Sequence, residues 1–541
     1  MVTVDLDALG DSIVYDALSY AWGDINDKID LVVNGCPLAV TRNLWRALSC
    51  LSELWDRNVY LWADAICINQ ADLKERERQV TYMHAIYSKA RHVKVWLETD
   101  STDADLLFED IRLWSNVHDT AHGEHLRQLV TQPRIVEAYG RMLRSRWWHR
   151  VWVMQEVMLA ASPQLQWSTA SVPMRVVLIS LSNLLNAMAR FSKADPSGTL
   201  RPLRDAGVND DFRSALIALG RDDLMGKRPP VFQRNALLAW LKVLGARQAT
   251  EGRDKIYGVM SIFPGHLGLK PNYSAPLALI YEEGTIGMME YMNSPAIINL
   301  AGLSDRRMAG LPSWVPDFSG KSKLWNTRSA NADGGLYPES RPSFSRDRLK
   351  RLTVHGVIVD RVKWSGPYVT SDTVGLGRDR DMLEQGRESL RIWMRHCERE
   401  RIAEEKNNAL SFIMYHTINW LTGTGFCKNS GDKSGPNSSR SAAISLLQEW
   451  IGDSALVDKL GEHQAGFLHH VAMDLGSKAV LQTASGRLGE VNHGSVREND
   501  CVVVVARTPR AVILRPCEND GCYQLVATCL SLEGTSASAR S

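Results

Sequence analysis

The order of apolar and polar positions divides the chain into recognisable elements. Ile13 to Tyr20 is rich in β-branched and aromatic residues and reads as a strand, which Gly23 ends. Asp30 to Val40 carries Asn34-Gly35 between two apolar runs, a hairpin signal. From Thr41 to Trp55 the period changes to that of a helix, with Leu44, Leu48, Leu51 and Trp55 on one stripe and Thr41 or Asn43 available as a cap. Asn58 to Ile68 is almost continuously apolar, as expected of a central parallel strand covered on both faces. Asp72 to Ala90 is a helix with Val80, Met83, Ile86, Tyr87 and Ala90 inward, and His92 to Leu97 is a further strand.

This alternation predicts an α/β fold with a parallel sheet, flanking helices and right-handed crossovers. Residues 100–145 read as polar and helical, like an insertion, and a helix is expected from about Trp147 to Ala160. Residues 170–300 are mostly helical in pattern, including Asn235 to Ala249 and Ala275 to Met292. Residues 318–348 are loop-rich, Leu349 to Gly366 returns to strand character, and a helical stretch spans about 382–425. Lys428 to Ser441 has a flexible composition, Asp500 to Leu530 reads as three antiparallel strands, and Glu533 to Ser541 as a disordered tail. The expected domains are residues 1–168 (α/β), 169–317 (helical) and 318–541 (mixed, ending in a small β-rich region).

Composition narrows the class. The chain has 541 residues, 44% hydrophobic and 23% charged, which suits a globular protein of several domains. A formal net charge of +2, without a basic run, gives no basis for a nucleic-acid partner. No apolar stretch is long enough to span a membrane, and Met1 to Gly10 lacks the basic start of a secretory signal. The nine cysteines are scattered; Cys36, Cys50 and Cys67 sit in apolar contexts like buried thiols, and Cys517, Cys522 and Cys529 lack zinc-site spacing. A cytoplasmic, reducing location is expected. Ten of the seventeen tryptophans lie in the first 170 residues, as a large aromatic core or in part as the lining of a pocket for a flat ligand.

Three segments, Tyr15 to Asp24 (YDALSYAWGD), Leu61 to Leu97 and Ser145 to Ala160 (SRWWHRVWVMQEVMLA), resemble in order the signature blocks of the fungal heterokaryon-incompatibility (HET) family. Within the second, Asp64, Cys67-Ile68-Asn69-Gln70, Glu75-Arg76, Gln79-Val80 and Met83 fall where that pattern expects them. Glu98, Arg146 and Gly252 depart from it. Ala249 to Ile262 and Leu311 to Ser319 resemble blocks that often follow the domain. The HET domain is in turn similar in fold to Toll/interleukin-receptor (TIR) domains, of flavodoxin-like topology, many of which cleave NAD. The resemblance implies a role in non-self recognition and programmed cell death, akin to innate immunity. It also implies self-association through the HET domain and an incompatibility partner protein whose identity the sequence leaves open.

The chemistry can be reasoned from bond cleavage. Breaking the nicotinamide–ribose bond of NAD builds positive charge at the ribose, which a facing carboxylate stabilises, and nicotinamide leaves as a neutral molecule without a general acid. NAD would be the substrate; no resident cofactor and no metal is implied. TIR enzymes place the catalytic glutamate four residues after a tryptophan, and Trp152 and Glu156 have that spacing, on one helical face. Glu156 is the catalytic candidate, or else a solvated or ion-paired helix residue, with Arg150 as the nearest partner in sequence.

Ser19, Tyr20, Trp22 and Gly23 lie at the end of the first strand, where open α/β sheets bind ligands. Gly23 permits close backbone approach, and Trp22 or Tyr20 can stack on a base, or Trp22 can plug the sheet end. Asp64 can accept ribose hydroxyls. Asn69 and Gln70 can bond an amide, or simply turn the chain into the next helix. Arg76 and Arg78 can meet a pyrophosphate, or form a solvated face. No GxGxxG or Walker A motif is present.

Overall fold

A computed structural model describes residues 13–53, 59–98, 101–116, 121–190, 198–205, 247–303, 307–319, 351–366, 379–399, 445–460, 478–492, 495–508, 510–518 and 521–532, with a few single positions between them. The flexible segment expected at Lys428 to Ser441, the tail Glu533 to Ser541, residue Trp55, and most of the loop 318–348 and of the helix Asn235 to Ala249 lie outside the described residues. The chain divides into two compact units, Met1–Tyr291 with Phe318–Lys323, and Met292–Asp317 with Leu324–Ser541.

The first unit is α/β. Strands β1 (Tyr15–Tyr20), β4 (Tyr60–Trp62), β5 (Val93–Trp96), β6 (Pro163–Trp167) and β7 (Ala170–Pro173) form one sheet in the order β4-β1-β5-β6-β7. The pairs β1–β4, β1–β5 and β5–β6 are parallel, and β7 returns antiparallel to β6. Numbered along the sheet's own strands this is 2-1-3-4-5, the flavodoxin-like order, whose topological switch point lies between its first and third strands.

Strand β1 is buried along its whole length, and its two faces go to different helices. Leu18 and Tyr20 pack with Leu44, Ala47 and Leu51 of helix α1 (Arg42–Glu53). Tyr15 and Ala17 pack with Met83, Ile86 and Tyr87 of helix α3 (Leu73–Lys89), which Asp72 caps by accepting the Lys74 and Glu75 N–H groups. Alternation along the strand therefore puts Ser19 on the α3 side.

The expected hairpin is β2 (Lys28–Val33) and β3 (Cys36–Thr41), with Asn34 and Gly35 both at positive φ as a type I′ turn needs. It forms a two-stranded sheet of its own, which is why Cys36, read as a buried thiol, is exposed.

Three further expectations are corrected. The run Asn58 to Ile68 is not a central strand: β4 is three residues long at the sheet edge, and Asp64–Cys67 turns into the short helix α2. Its apolar residues serve the helix packing after the strand rather than a second sheet neighbour. Residues 100–145 are not a polar insertion. Helices α4 (Ala104–Asn116), α5 (His122–Val130) and α6 (Pro133–Arg144) bury Leu107, Ile111, Trp114, Leu126, Tyr139 and Met142 in one extended apolar core. Their polar residues occupy the outer stripe, which makes the composition look solvated. The helix expected from Trp147 to Ala160 is broken into a 3-10 turn (Arg146–His149) and helix α7 (Val153–Met158), and the hairpin β6–β7 follows directly.

The second unit contains a closed antiparallel barrel in the order β10-β13-β12-β11-β8-β9. Its strands are β8 (Gly356–Ser365), β9 (Ala479–Thr483), β10 (Leu488–Val491), β11 (Cys501–Val505), β12 (Val512–Pro516) and β13 (Tyr523–Leu532). The three C-terminal strands expected from sequence are β11 to β13. Ala479 and Leu481 of β9 join one apolar cluster with Val362, Val502, Ile513 and Val526. Val480, between them, joins another with Leu390, Trp393 and Trp450, the two-residue period of a strand with two covered faces. Among the described residues no helix is long and apolar enough to cross a membrane.

Candidate functional site

The C-terminal end of β1 gathers most of the chemistry. Ser19 projects to the α3 side, where α7 delivers Glu156, and the Ser19 hydroxyl donates to Glu156 Oε2. Trp147 Nε1–H donates to Ser19 Oγ at 2.8 Å, so the hydroxyl is held by one donor and one acceptor. Arg150 Nη1 lies 4.0 Å from Glu156 Oε1, and the same guanidinium donates to the Tyr20 carbonyl. Ser19, Tyr20 and Glu156 are 1–2% exposed. Burial pushes the Glu156 carboxyl up to about 7, although Arg150 and the Ser19 hydrogen bond pull it down. Burial, with the Asp64 carboxylate near, raises the Tyr20 phenol well above its ordinary value.

The two loops flanking this point are tied together. Trp22 Nε1–H donates to Asp64 Oδ2 at 2.8 Å, and Asp64 Oδ1 accepts the Ala65 N–H at 2.8 Å. The Trp22 ring also packs on the α1-side core. Gly23 sits at φ +79, and a Cβ there would lie 3.2 Å from Asn43 Cβ. Asn43, at the start of α1, donates to the Ala21 carbonyl at 2.5 Å and accepts from Trp96 Nε1 at 3.1 Å, which fastens the ends of β1 and β5.

Asn69 and Gln70 turn the chain. Asn69 Oδ1 accepts the Ala71 N–H, and Gln70 Nε2 donates to the Asp64 carbonyl at 3.1 Å. Trp152 stands at the start of α7, where its carbonyl accepts the Glu156 N–H, but its indole points elsewhere: Nε1–H donates to Asp254 Oδ2 at 3.1 Å. Asp254, pushed up to about 6 by burial, also accepts the Tyr273 hydroxyl at 2.7 Å. The Arg76 guanidinium stacks on the Tyr273 ring at 3.7 Å, so this arginine meets an aromatic face.

The structure thus brings Ser19, Tyr20, Trp22, Asp64 and Glu156 to one edge, with Asn69 and Gln70 in the adjoining turn. Sequence reasoning missed Trp147 and Asn43 as polar anchors and weighed Arg150 only as a competing ion-pair partner. Trp147 and Arg150 lie within the third of those blocks and Asn43 between the first two, but a pairing between residues 128 or 137 positions apart leaves no periodic signal. Among the described residues no group of three or more His, Cys, Asp or Glu side chains could hold a metal.

The family model for heterokaryon incompatibility protein (HET) matches residues 15–156, from the first residue of β1 to Glu156 itself. This chain carries a HET domain. Heterokaryon incompatibility protein 6, OR allele, of Neurospora crassa is 26% identical over 376 residues, covering 57% of this chain and 53% of that protein. The chain therefore spans about half the length of the curated relative it matches. No solved structure matches it significantly. The HET match begins and ends on the two elements that meet at Ser19 and Glu156.

Proposed function

We propose that this protein acts in heterokaryon incompatibility and that its HET domain, TIR-like in mechanism, hydrolyses NAD at the nicotinamide–ribose bond, with Glu156 as the catalytic carboxylate. The observation that carries this reading is the convergence of Glu156 with Ser19 and Tyr20 at the switch point of a 2-1-3-4-5 sheet, the position at which such sheets bind nucleotides. In the reaction the C–N bond breaks with its electron pair passing to the nicotinamide nitrogen, and water completes the sugar. Ionised Glu156 stabilises the positive ribose in between. Ser19 and Arg150 orient the carboxylate, and Asp64 accepts ribose hydroxyls once Trp22 releases it. Because Glu156 is 2% exposed, NAD entry requires the loops after β1 and β4 to part.

Purified chain, dilute and concentrated, is incubated with NAD, and nicotinamide release is followed by chromatography. Glu156→Gln should lower the rate about a hundredfold or more. Absence of release at every concentration would sink the enzymatic reading, and release that survives the substitution would remove Glu156 from it. The rate should also rise with pH through about 7, since only the ionised carboxylate works.

One observation favours a second reading. Glu156 is already satisfied by Ser19 and Arg150, as a structural buried pair would be. On that reading the HET domain signals by self-association while the C-terminal portion senses a partner protein. Concentration-dependent assembly without nicotinamide release is its signature.

A further inference from the structure

In the second unit the β12–β13 hairpin places two free cysteines face to face. Its ladder pairs Arg515 with Gln524 and Pro516 with Tyr523, and the next pair outward is Cys517 with Cys522. The Cys517 N–H donates to the Cys522 carbonyl at 2.9 Å, one of the two bonds of a hydrogen-bonded antiparallel pair, so the ladder continues to these residues. Pro516, which has no N–H, occupies the non-hydrogen-bonded position before it, which confirms the register. Such a pair holds its Cα atoms about 5.5 Å apart, inside the roughly 4.4–6.8 Å that a disulfide spans. Cys517 is exposed and Cys522 half-buried, so a soluble oxidant reaches the first and not readily the second.

We propose that Cys517 and Cys522 are a reversible redox modification site, with Cys517 as the attacked thiol and Cys522 as the resolving thiol. The oxidant is a small-molecule disulfide of the glutathione type. The Cys517 thiolate attacks one sulfur of oxidised glutathione, forming a mixed disulfide and releasing one glutathione thiolate. The Cys522 thiolate then attacks the Cys517 sulfur, forming the protein disulfide and releasing the second. Two protein thiols are oxidised, one glutathione disulfide is reduced, and the two protons pass to the departing thiolates. The exchange closes the turn of the hairpin.

The chain contains its own comparator. Cys36 is also exposed at a hairpin turn, but it faces Val33. It can therefore stop only at the mixed disulfide.

Reduced full-length protein is exposed to oxidised glutathione under native conditions, alkylated and analysed by peptide mass spectrometry. Cys517 and Cys522 should both escape alkylation in a single peptide two mass units lighter, free of glutathione, while Cys36 carries glutathione. Dithiothreitol should restore both thiols. In Cys522→Ser, Cys517 should instead retain glutathione, as Cys36 does. A stable glutathione adduct on Cys517 of the unsubstituted chain, or full alkylation of both cysteines, would overturn the proposal.

Discussion

Ser19 is small, but it sets the state of the candidate site. Its hydroxyl both accepts from Trp147 and donates to Glu156, and that second bond is one of the influences holding the Glu156 carboxyl down against burial. Ser19→Ala removes both at once. The Glu156 carboxyl should titrate higher than about 7, and the Trp147 N–H loses its acceptor in a buried place. A stability loss of about 2 kcal/mol is expected from the unpaired group. Carboxyl titration by 13C NMR in the labelled protein checks the direction. A downward shift would mean that the hydroxyl does not stabilise the ionised form. The sequence placed Ser19 at the end of a strand but could not reveal its partners, because strand alternation fixes a side chain's face and not what meets it there.

Among the elements, α1 decides whether the ends of β1 and β5 stay aligned. Asn43 supplies the link, with its amide donating to Ala21 and its carbonyl accepting from Trp96. Asn43→Ala leaves a backbone carbonyl and an indole N–H without these partners, and should cost about 2–3 kcal/mol by chemical denaturation. The denaturation slope should not change, since the same surface is exposed on unfolding. A loss under about 0.5 kcal/mol would show that water or a rearranged side chain replaces the link. At this scale the sequence was most informative where one period persisted. α3, β5 and the Asn34-Gly35 hairpin were legible, since helical stripes and turn residues are local physics. It misled where composition was ambiguous: the apolar run Asn58 to Ile68 looked like a central strand, yet an edge strand followed by a half-buried helical turn has the same composition. The break between Trp147 and Val153 was also hidden, because it is imposed from a distance. The Gln248 backbone pairs with His149 and Val151 and holds that stretch extended.

Across the molecule, two buried carboxyls couple folding to pH in one direction. Glu156 is raised from 4.5 to about 7 and Asp254 from 3.8 to about 6, both by burial. The folded state therefore binds protons that the unfolded chain has already released. The stabilisation from each is complete below its unfolded value and is lost as pH rises through its folded value. For Glu156 the window is about pH 4.5 to 7, and at about 1.4 kcal/mol per unit the change is on the order of 3 kcal/mol. Glutamine is a permanent mimic of the neutral acid. Glu156→Gln should therefore gain stability relative to the unsubstituted chain as pH rises across that window, with the difference levelling above it. Urea denaturation of both proteins between pH 4.5 and 8 measures this without any substrate. A difference that does not vary with pH would show that Glu156 is already ionised throughout, held by Arg150 and Ser19 as a permanent ion pair. A rising difference would show instead that the site keeps a carboxyl poised near neutrality at a stability cost, which a purely structural glutamate has no reason to bear.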